Sequence, residues 1–365
     1  MAFIKKFISQ QELSRREFLI SSSLGTAAVA GSSLFSPSLM ASSGPAMAWS
    51  YRNRSNDYWN AIVTGGESFL TSLGMDKSAL THLINEGSSE KSLADVKALM
   101  AKNNGNVALA IDANDSPNAR PVVEATKSAG GYVSTIWNKT DDLHPWDFGD
   151  NYVAHLAWNG VAPAEETARA MIKQMGGKGR IVGLGGIPSN APAIERKQGL
   201  MNVLKEFPEV ELLDFQAADW STQKANEVMS SFITRFGDID GVFAANDSMA
   251  IGAVEALRAE GLAGQIAVAG FDGTPQAIQM IESGEMCATV DTNPGWGGGI
   301  LLAITYHAAI GTFKPSDEPK SHREFWGGNV VVTTDDVAAY KKKYIEKTPT
   351  YDWNDFWGPT TSPWS

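Results

Sequence analysis

Short apolar runs that stop abruptly at a polar or aromatic residue recur along this chain. Asn106-Val-Ala-Leu-Ala-Ile-Asp112 ends in an acid, and residues 131–137, 179–185, 241–246 and 265–272 are built alike, with an earlier run at 46–51. Unbroken apolar runs of this length suit strands buried on both faces of a parallel sheet. Between them lie helical periods: Leu93, Val96, Leu99 and Met100 share one stripe, and residues 164–175 and 249–259 repeat the device. Such alternation predicts an α/β chain with doubly wound sheets, and 365 residues leave room for two of them. In open α/β sheets ligands collect beyond the carboxyl ends of the strands. Asp112, Trp137-Asn138, Asn246-Asp247 and Phe271-Asp272 therefore stand where chemistry is expected.

Composition removes several function classes. With 43% hydrophobic and 19% charged residues the chain can build real cores and is not a disordered segment. A formal net charge of −11 repels phosphate backbones, so no nucleic-acid partner is expected. Cys287 is the single cysteine and cannot close an internal disulfide; five scattered histidines show no metal-ligand spacing, and no metal or cofactor is expected. Gly183-Leu-Gly-Gly-Ile-Pro188 follows a strand but lacks the third glycine of a dinucleotide loop, and reads as a tight turn. Neither a G-x-S-x-G elbow nor a P-loop lysine is present. Asp141-Asp142, Asp335-Asp336 and Lys341–Lys343 read as solvated faces or caps, and His155 and His307 as packed side chains. No nucleophile finds a base, and Asp272 has no evident second carboxylate for glycoside hydrolysis, so the chain is not expected to be an enzyme.

The N-terminus reads as an address. Lys5, Lys6, Arg15 and Arg16 precede a weakly apolar stretch rich in Ser, Ala and Gly, and then Pro37. That is the layout of an export signal, too short and too polar for a stable membrane span. Ser14-Arg15-Arg16-Glu17-Phe18-Leu19-Ile20 resembles a twin-arginine signal. Cleavage is expected after Ala41 rather than Ala48, because residues 46–51 are needed as the first strand. The signal carries four basic and two acidic side chains, which leaves the exported chain at about −13. No cysteine follows for a lipid anchor, and a soluble periplasmic protein is expected.

The stretch Asp240-Gly-Val-Phe-Ala-Ala-Asn-Asp-Ser-Met-Ala-Ile-Gly-Ala-Val-Glu-Ala-Leu257, followed by Val268-Ala-Gly-Phe-Asp-Gly-Thr-Pro275 and Ala288-Thr-Val-Asp-Thr-Asn-Pro294, resembles the type I periplasmic sugar-binding proteins, and their ribose-binding branch in particular. The register extends through residues 195–200 and 218–220 to Asn56-Asp-Tyr-Trp59, and covers the exported chain to about residue 335. Lac-type repressors share the pattern, but here an export signal stands in place of a DNA-binding headpiece. The resemblance implies two doubly wound lobes joined by three hinge crossovers, near Ala157–Asn159, Asp291–Asn293 and residues 321–328. The implied organisation is a signal at 1–41, an N-terminal lobe of 42–157 plus 293–322, a C-terminal lobe of 158–292 plus 323–345, and an aromatic tail at 346–365.

The resemblance also implies the site. A sugar presents apolar C–H faces and a rim of hydroxyls, and so needs flat aromatic surfaces and polar groups that both donate and accept. Tyr58, Trp59 and Trp220 fall on the family's stacking positions; Asn56, Arg196, Asn246 and Asp272 fall on its hydroxyl-binding positions. Two departures stand out. Trp137-Asn138 replaces an Asp-Arg pair of the ribose-binding branch, and Thr292 occupies a hinge position where glutamine is frequent. The implied pocket is more aromatic and less charged than a ribose site, favouring another pentose, a hexose, a deoxy sugar or an open-chain polyol. The implied function is capture of a monosaccharide or polyol and its delivery, by a monomer, to the membrane permease of an ABC transporter. A sensory subunit serving a chemoreceptor or histidine kinase is the alternative, and an exported carbohydrate-active enzyme a weaker one. Trp158, at the first crossover, reads equally as lining the cleft mouth or as hinge packing. The tail is expected to pack across a lobe through Trp353, Phe356 and Trp357.

Overall fold

The computed structural model describes residues 44–347 and 349–364; the signal expected at 1–41 lies outside them. Strands β1 (Ala46–Tyr51), β2 (Thr81–Ile84), β3 (Val107–Asp112), β4 (Tyr132–Ile136), β5 (Tyr152–Ala157), β11 (Glu324–Gly327) and β13 (Thr360–Thr361) form one sheet, in the order β13-β11-β5-β4-β3-β1-β2. Strands β6 (Gly179–Gly185), β7 (Val210–Ala217), β8 (Gly241–Ala244), β9 (Ala267–Ala269), β10 (Ala288–Asp291) and β12 (Val330–Thr333) form the other, in the order β12-β10-β9-β8-β6-β7. Every pairing is parallel except at the edges, where β13 and β12 run antiparallel to β11 and β10.

Each sheet is covered on both faces, which is why its strands read as unbroken apolar runs. Along β1 and β3, Met47, Trp49, Ala108 and Ala110 enter one core, while Ala48, Val107, Leu109 and Ile111 enter another behind it. In the second sheet Val182, Leu184, Val242 and Ala244 face one core, and Ile181 and Phe243 the opposite one. Helices α1 (Asp57–Ser72), α2 (Ser89–Lys102), α3 (Ala119–Ser128) and α9 (Pro294–Ala309) cover the first sheet. Helices α4 (Val161–Gln174), α5 (Ala191–Leu204), α6 (Thr222–Phe236), α7 (Asp247–Ala259) and α8 (Pro275–Ser283) cover the second.

The glycine-rich start of α9 lets it lie directly on α1. A Cβ on Gly298 would stand 1.9 Å from the Ile62 carbonyl oxygen, and the Gly298 carbonyl accepts the Trp49 indole N–H at 3.0 Å. Alanine inside a helix ordinarily stabilises relative to glycine by about 0.5–1 kcal/mol. Here the backbone clash reverses the sign: Gly298→Ala should destabilise by about 1–3 kcal/mol, as overpacking does, and lower the melting temperature by several degrees. A rise in melting temperature would mean that α1 and α9 are free to separate.

Among the described residues the chain passes between the sheets four times, after β5, after β10, between β11 and β12, and between β12 and β13, one passage more than the three hinge crossovers that the resemblance implies. The third passage corrects the sequence reading. Strand β11 pairs with β5 through Glu324, Phe325 and Trp326, so the crossover is Gly328-Asn329 and the first sheet keeps residues assigned above, from 323, to the C-terminal lobe. Asn329 donates its side-chain N–H to the Asn159 carbonyl at 3.2 Å, tying the first and third crossovers together. Trp158 is 1% exposed and packs between Trp137, Gly297 and Gly327, which makes it a hinge-packing residue. The C-terminal segment returns to the first lobe: Trp353 is buried in its core, and β13 extends its sheet.

Candidate functional site

The carboxyl ends of β1, β3, β4, β6, β7, β8 and β9 converge on one cavity of about 350 Å³ between the two sheets. The first lobe contributes Arg52, Asn56, Tyr58, Trp59, Asp112, Trp137 and Asn138; the second contributes Asn190, Arg196, Trp220, Asn246 and Asp272. Five of the eight non-glycine residues with positive φ among the described residues lie at these strand ends: Asn114, Trp137, Asp219, Trp220 and Asp272. A bulky side chain in that region costs on the order of 1–3 kcal/mol and persists only where its surroundings enforce it.

Trp137 is an instance. Its φ is 63°, and its backbone N–H is held by the Leu156 carbonyl at 3.0 Å. Its indole N–H donates to the Tyr58 hydroxyl at 2.7 Å, and its ring lies 4.6 Å from that of Trp158. Tyr58 meets Trp59 edge to face at 5.3 Å, and burial raises its phenol far above the ordinary range. The first lobe thus presents a rigid aromatic wall whose own polar atoms are largely spent on one another.

The second lobe presents charge. Arg196, on the second turn of α5, is 3% exposed and donates to the Ala245 carbonyl at 2.7 Å. Its guanidinium carbon lies 3.6 Å from the Phe271 ring centre, with Trp137 and Trp220 at 5.3 and 5.6 Å, and Asp272 Oδ1 accepts from it at 3.4 Å. Its Nε has no hydrogen-bond partner among the described residues. Burial pushes the Asp272 carboxyl up to about 8; Arg196 and Asn246 oppose that rise, and the nearby Asp247 carboxylate adds to it. Asp247, wholly buried on the Thr289 hydroxyl and the Thr274 N–H, is itself raised to about 6 by burial.

Asn56 and Asn246 hold two positions at once. Each caps a helix with its Oδ1, to the N–H of Tyr58 and of Met249, both at 2.9 Å, and each lines the cavity. Capping and solute contact are compatible because the cap consumes only the acceptor of the amide. Asn138 donates to Asp112 Oδ1 at 2.8 Å, and burial raises the Asp112 carboxyl. Thr292 is the exception among the expected site residues. It is fully buried and does not line the cavity; its hydroxyl lies near Tyr58, outside hydrogen-bonding geometry.

Arg52, Asn53, Asn190, Asp219 and the segment Ser221–Gln223 also line the cavity without having been singled out from sequence. Asp112, which the sequence marks only as a strand end, lines it too. Polar contacts bridge the lobes beside the cavity: Ser189 Oγ donates to Asp115 Oδ1 at 2.7 Å, and the Ala191 N–H to Asn138 Oδ1 at 3.3 Å. Among the described residues no group of three or more His, Cys, Asp or Glu side chains could hold a metal ion, and no helix is long and apolar enough to cross a membrane. Cys287 is buried, its thiol pushed up to about 12.

Residues 47–312 match the model of a family described as a periplasmic binding protein domain. The D-allose-binding periplasmic protein of Escherichia coli (strain K12) is 30% identical over 255 residues, which cover 70% of this chain and 81% of that protein. A crystal structure of a twin-arginine translocation pathway signal protein from Burkholderia phytofirmans is 48% identical with a TM-score of 0.83, over 88% of this chain and 98% of that one. An ABC transporter periplasmic solute binding protein from Actinobacillus succinogenes 130z, crystallised with bound D-allose, is 26% identical with a TM-score of 0.70, over 81% and 100% of the two chains.

Proposed function

This chain belongs to the periplasmic binding protein domain family, and from that premise we propose that it captures one monosaccharide or sugar alcohol and delivers it to the membrane permease of an ABC importer. The observation that carries the reading is the cavity itself: about 350 Å³ at the lower end of the range for small-molecule sites, walled by aromatics on one lobe and by buried charge on the other. A space of that size suits one sugar ring or a polyol of similar length. Tyr58, Trp59, Trp137 and Trp220 offer flat surfaces to C–H faces. Arg196, Asp272, Asn56, Asn138 and Asn246 bind the hydroxyl rim, the two charged groups through the stronger, charge-assisted hydrogen bonds. The protein makes no bond in its solute; its work is a shift of the two lobes between open and closed arrangements. It is exported through the twin-arginine signal and acts in the periplasm as a monomer.

A thermal-shift panel of pentoses, hexoses, deoxy sugars and polyols, run on the chain from Ser42 onward, tests this. A solute at ~100 times its dissociation constant should stabilise by about 2.7 kcal/mol, a shift of several degrees. One clear hit that is lost in Asp272→Ala is the expected result. A folded protein that shifts with nothing in the panel would overturn the carbohydrate reading.

A further inference from the structure

The loop between β6 and α5 read as a plain tight turn in the sequence, and the solute-binding role alone does not account for how it is built. It runs Gly186-Ile-Pro-Ser-Asn190 and reaches the opposite lobe. A Cβ on Gly186 would stand 2.0 Å from the Trp220 indole, so that ring lies flat on the loop backbone. Asn190 is 2% exposed and uses both ends of its amide: Oδ1 accepts the Trp220 indole N–H at 2.7 Å, and Nδ2 donates to the Asn114 carbonyl of the other lobe. One buried side chain therefore joins a cavity-lining aromatic to the far side of the cleft.

We propose that Asn190 is a positioning residue that makes the seating of Trp220 against the solute conditional on lobe closure; this rests on the binding role given above. Trp220 has φ 63°, a backbone conformation that persists only where its surroundings enforce it, and Asn190 is the anchor of its indole N–H. The anchor needs an acceptor for the indole and a donor for the facing carbonyl, and a primary amide supplies both. When the lobes part, Asn114 O leaves the amide, which is then free to rotate away from the indole. Closure and stacking thus share one contact, made in one state and absent in the other, which is what coupling requires. The neighbouring Ser189–Asp115 bond also crosses the cleft, but Ser189 is exposed and water can replace it.

The coupling acts on escape more than on entry, because the contact forms after the solute has arrived. Stopped-flow tryptophan fluorescence with the sugar identified by the panel separates the two rates. Asn190→Leu should raise the dissociation rate between about fivefold and a hundredfold, while the association rate stays within about threefold. Ser189→Ala should leave both near wild type. Asn190→Asp adds a readout that a merely structural residue would not move. Its carboxylate still accepts from Trp220 but repels the Asn114 carbonyl; acidification restores an O–H donor, and the dissociation rate should return toward that of wild type at the same pH. The charged groups around it are Asp112 through Asn138, Asp115 through Ser189, and Arg196 across Trp220, so wild type at each pH is the reference. Should the leucine variant not fold, the aspartate variant carries the test alone. Wild-type dissociation rates in the Asn190 variants, or an Asn190→Asp variant without acid rescue, overturn the coupling and leave the binding role standing. A wild-type chain that binds nothing in the panel overturns the binding role and this coupling with it.

Discussion

Asp272→Ala should weaken solute binding by about thirtyfold or more, since truncating one member of a buried, hydrogen-bonded charge pair costs about 2–5 kcal/mol. Asp272 is 6% exposed, and Arg196 across from it is 3% exposed, so in the solute-bound state, where the carboxyl is ionised, the alanine leaves a buried guanidinium without its counter-charge as well as removing an acceptor from the solute. Asp272→Asn separates these contributions. It keeps the shape and one acceptor, loses the charge, and should weaken binding by about tenfold. The two variants also part in their pH dependence. With its carboxyl pushed up to about 8, Asp272 in the solute-free protein takes up a proton below that pH. Hydroxyl donors favour the ionised form, so binding expels the proton, and wild-type affinity should tighten with rising pH to about 8, by at most about tenfold per unit. The stability of the solute-free protein runs the other way. A carboxyl raised on folding contributes stability that is complete below its unfolded value near 3.8 and is lost as pH rises through about 8. The melting temperature should therefore fall across that interval in wild type. In Asp272→Asn the fall should be smaller, with a residual slope near pH 6 from Asp247. Titration calorimetry and melting curves from pH 5 to 9 check both signs. Wild-type affinity and an unchanged pH slope in Asp272→Asn would remove a charged acceptor from the site.

What was legible in the sequence follows from how far each signal reaches along the chain. Strands buried on both faces announce themselves locally, so β1, β3, β4, β6 and β8 stood out as apolar runs. Because a parallel sheet delivers its strand ends to one edge, Asn246 and Asp272 could be set at the cavity from position alone. Asn190 was not legible: its neighbours read as a turn, and its two partners lie 76 and 30 residues away in the sequence. Ser221–Gln223 was hidden for a related reason, since a residue opening a helix carries only the signal of a cap. Register proved weakest at the hinge. The resemblance implied a site role for Thr292, which is fully buried beside Tyr58 and off the cavity, and Glu324–Gly327 is too short for its period to reveal the sheet it joins. Trp137 shows the limit most plainly, because its position at a strand end was readable while its left-handed backbone, imposed by Leu156 and Tyr58, was not.

Truncation after Pro349 should destabilise the protein by more than any single core substitution, because the last residues complete the first lobe. Trp353 is 6% exposed, and a Cβ on Gly299 would stand 2.2 Å from its ring, so the indole lies on the backbone of α9. Phe356 packs against His307 and Phe313, and Trp357 stacks on His322 at 4.2 Å with its edge toward Phe325. Strand β13 then pairs with β11, while Ser362 Oγ donates to the Glu324 carbonyl and the Trp364 indole N–H to the Glu324 carboxylate, both at 2.7 Å. Removing a buried tryptophan alone costs about 3–5 kcal/mol. Loss of the whole segment exposes the side of α9 and the edge of β11 as well, and should lower the melting temperature by on the order of 10 °C or more. Trp353→Ala should reproduce most of that loss, whereas Trp364→Ala, at a residue 42% exposed, should cost about 1 kcal/mol or less. Tyr351 links the same segment to the second crossover, donating its hydroxyl proton to Asn293 Oδ1 at 2.8 Å, where Asn293 holds a φ of 50°. Truncation should therefore also loosen that crossover and change solute affinity, but by less than Asp272→Ala, since no described residue of the tail lines the cavity. An unchanged melting temperature on truncation would mean that the segment lies on the lobe without stabilising it, and a loss of affinity larger than that of Asp272→Ala would make the tail part of the binding machinery rather than of the lobe's core.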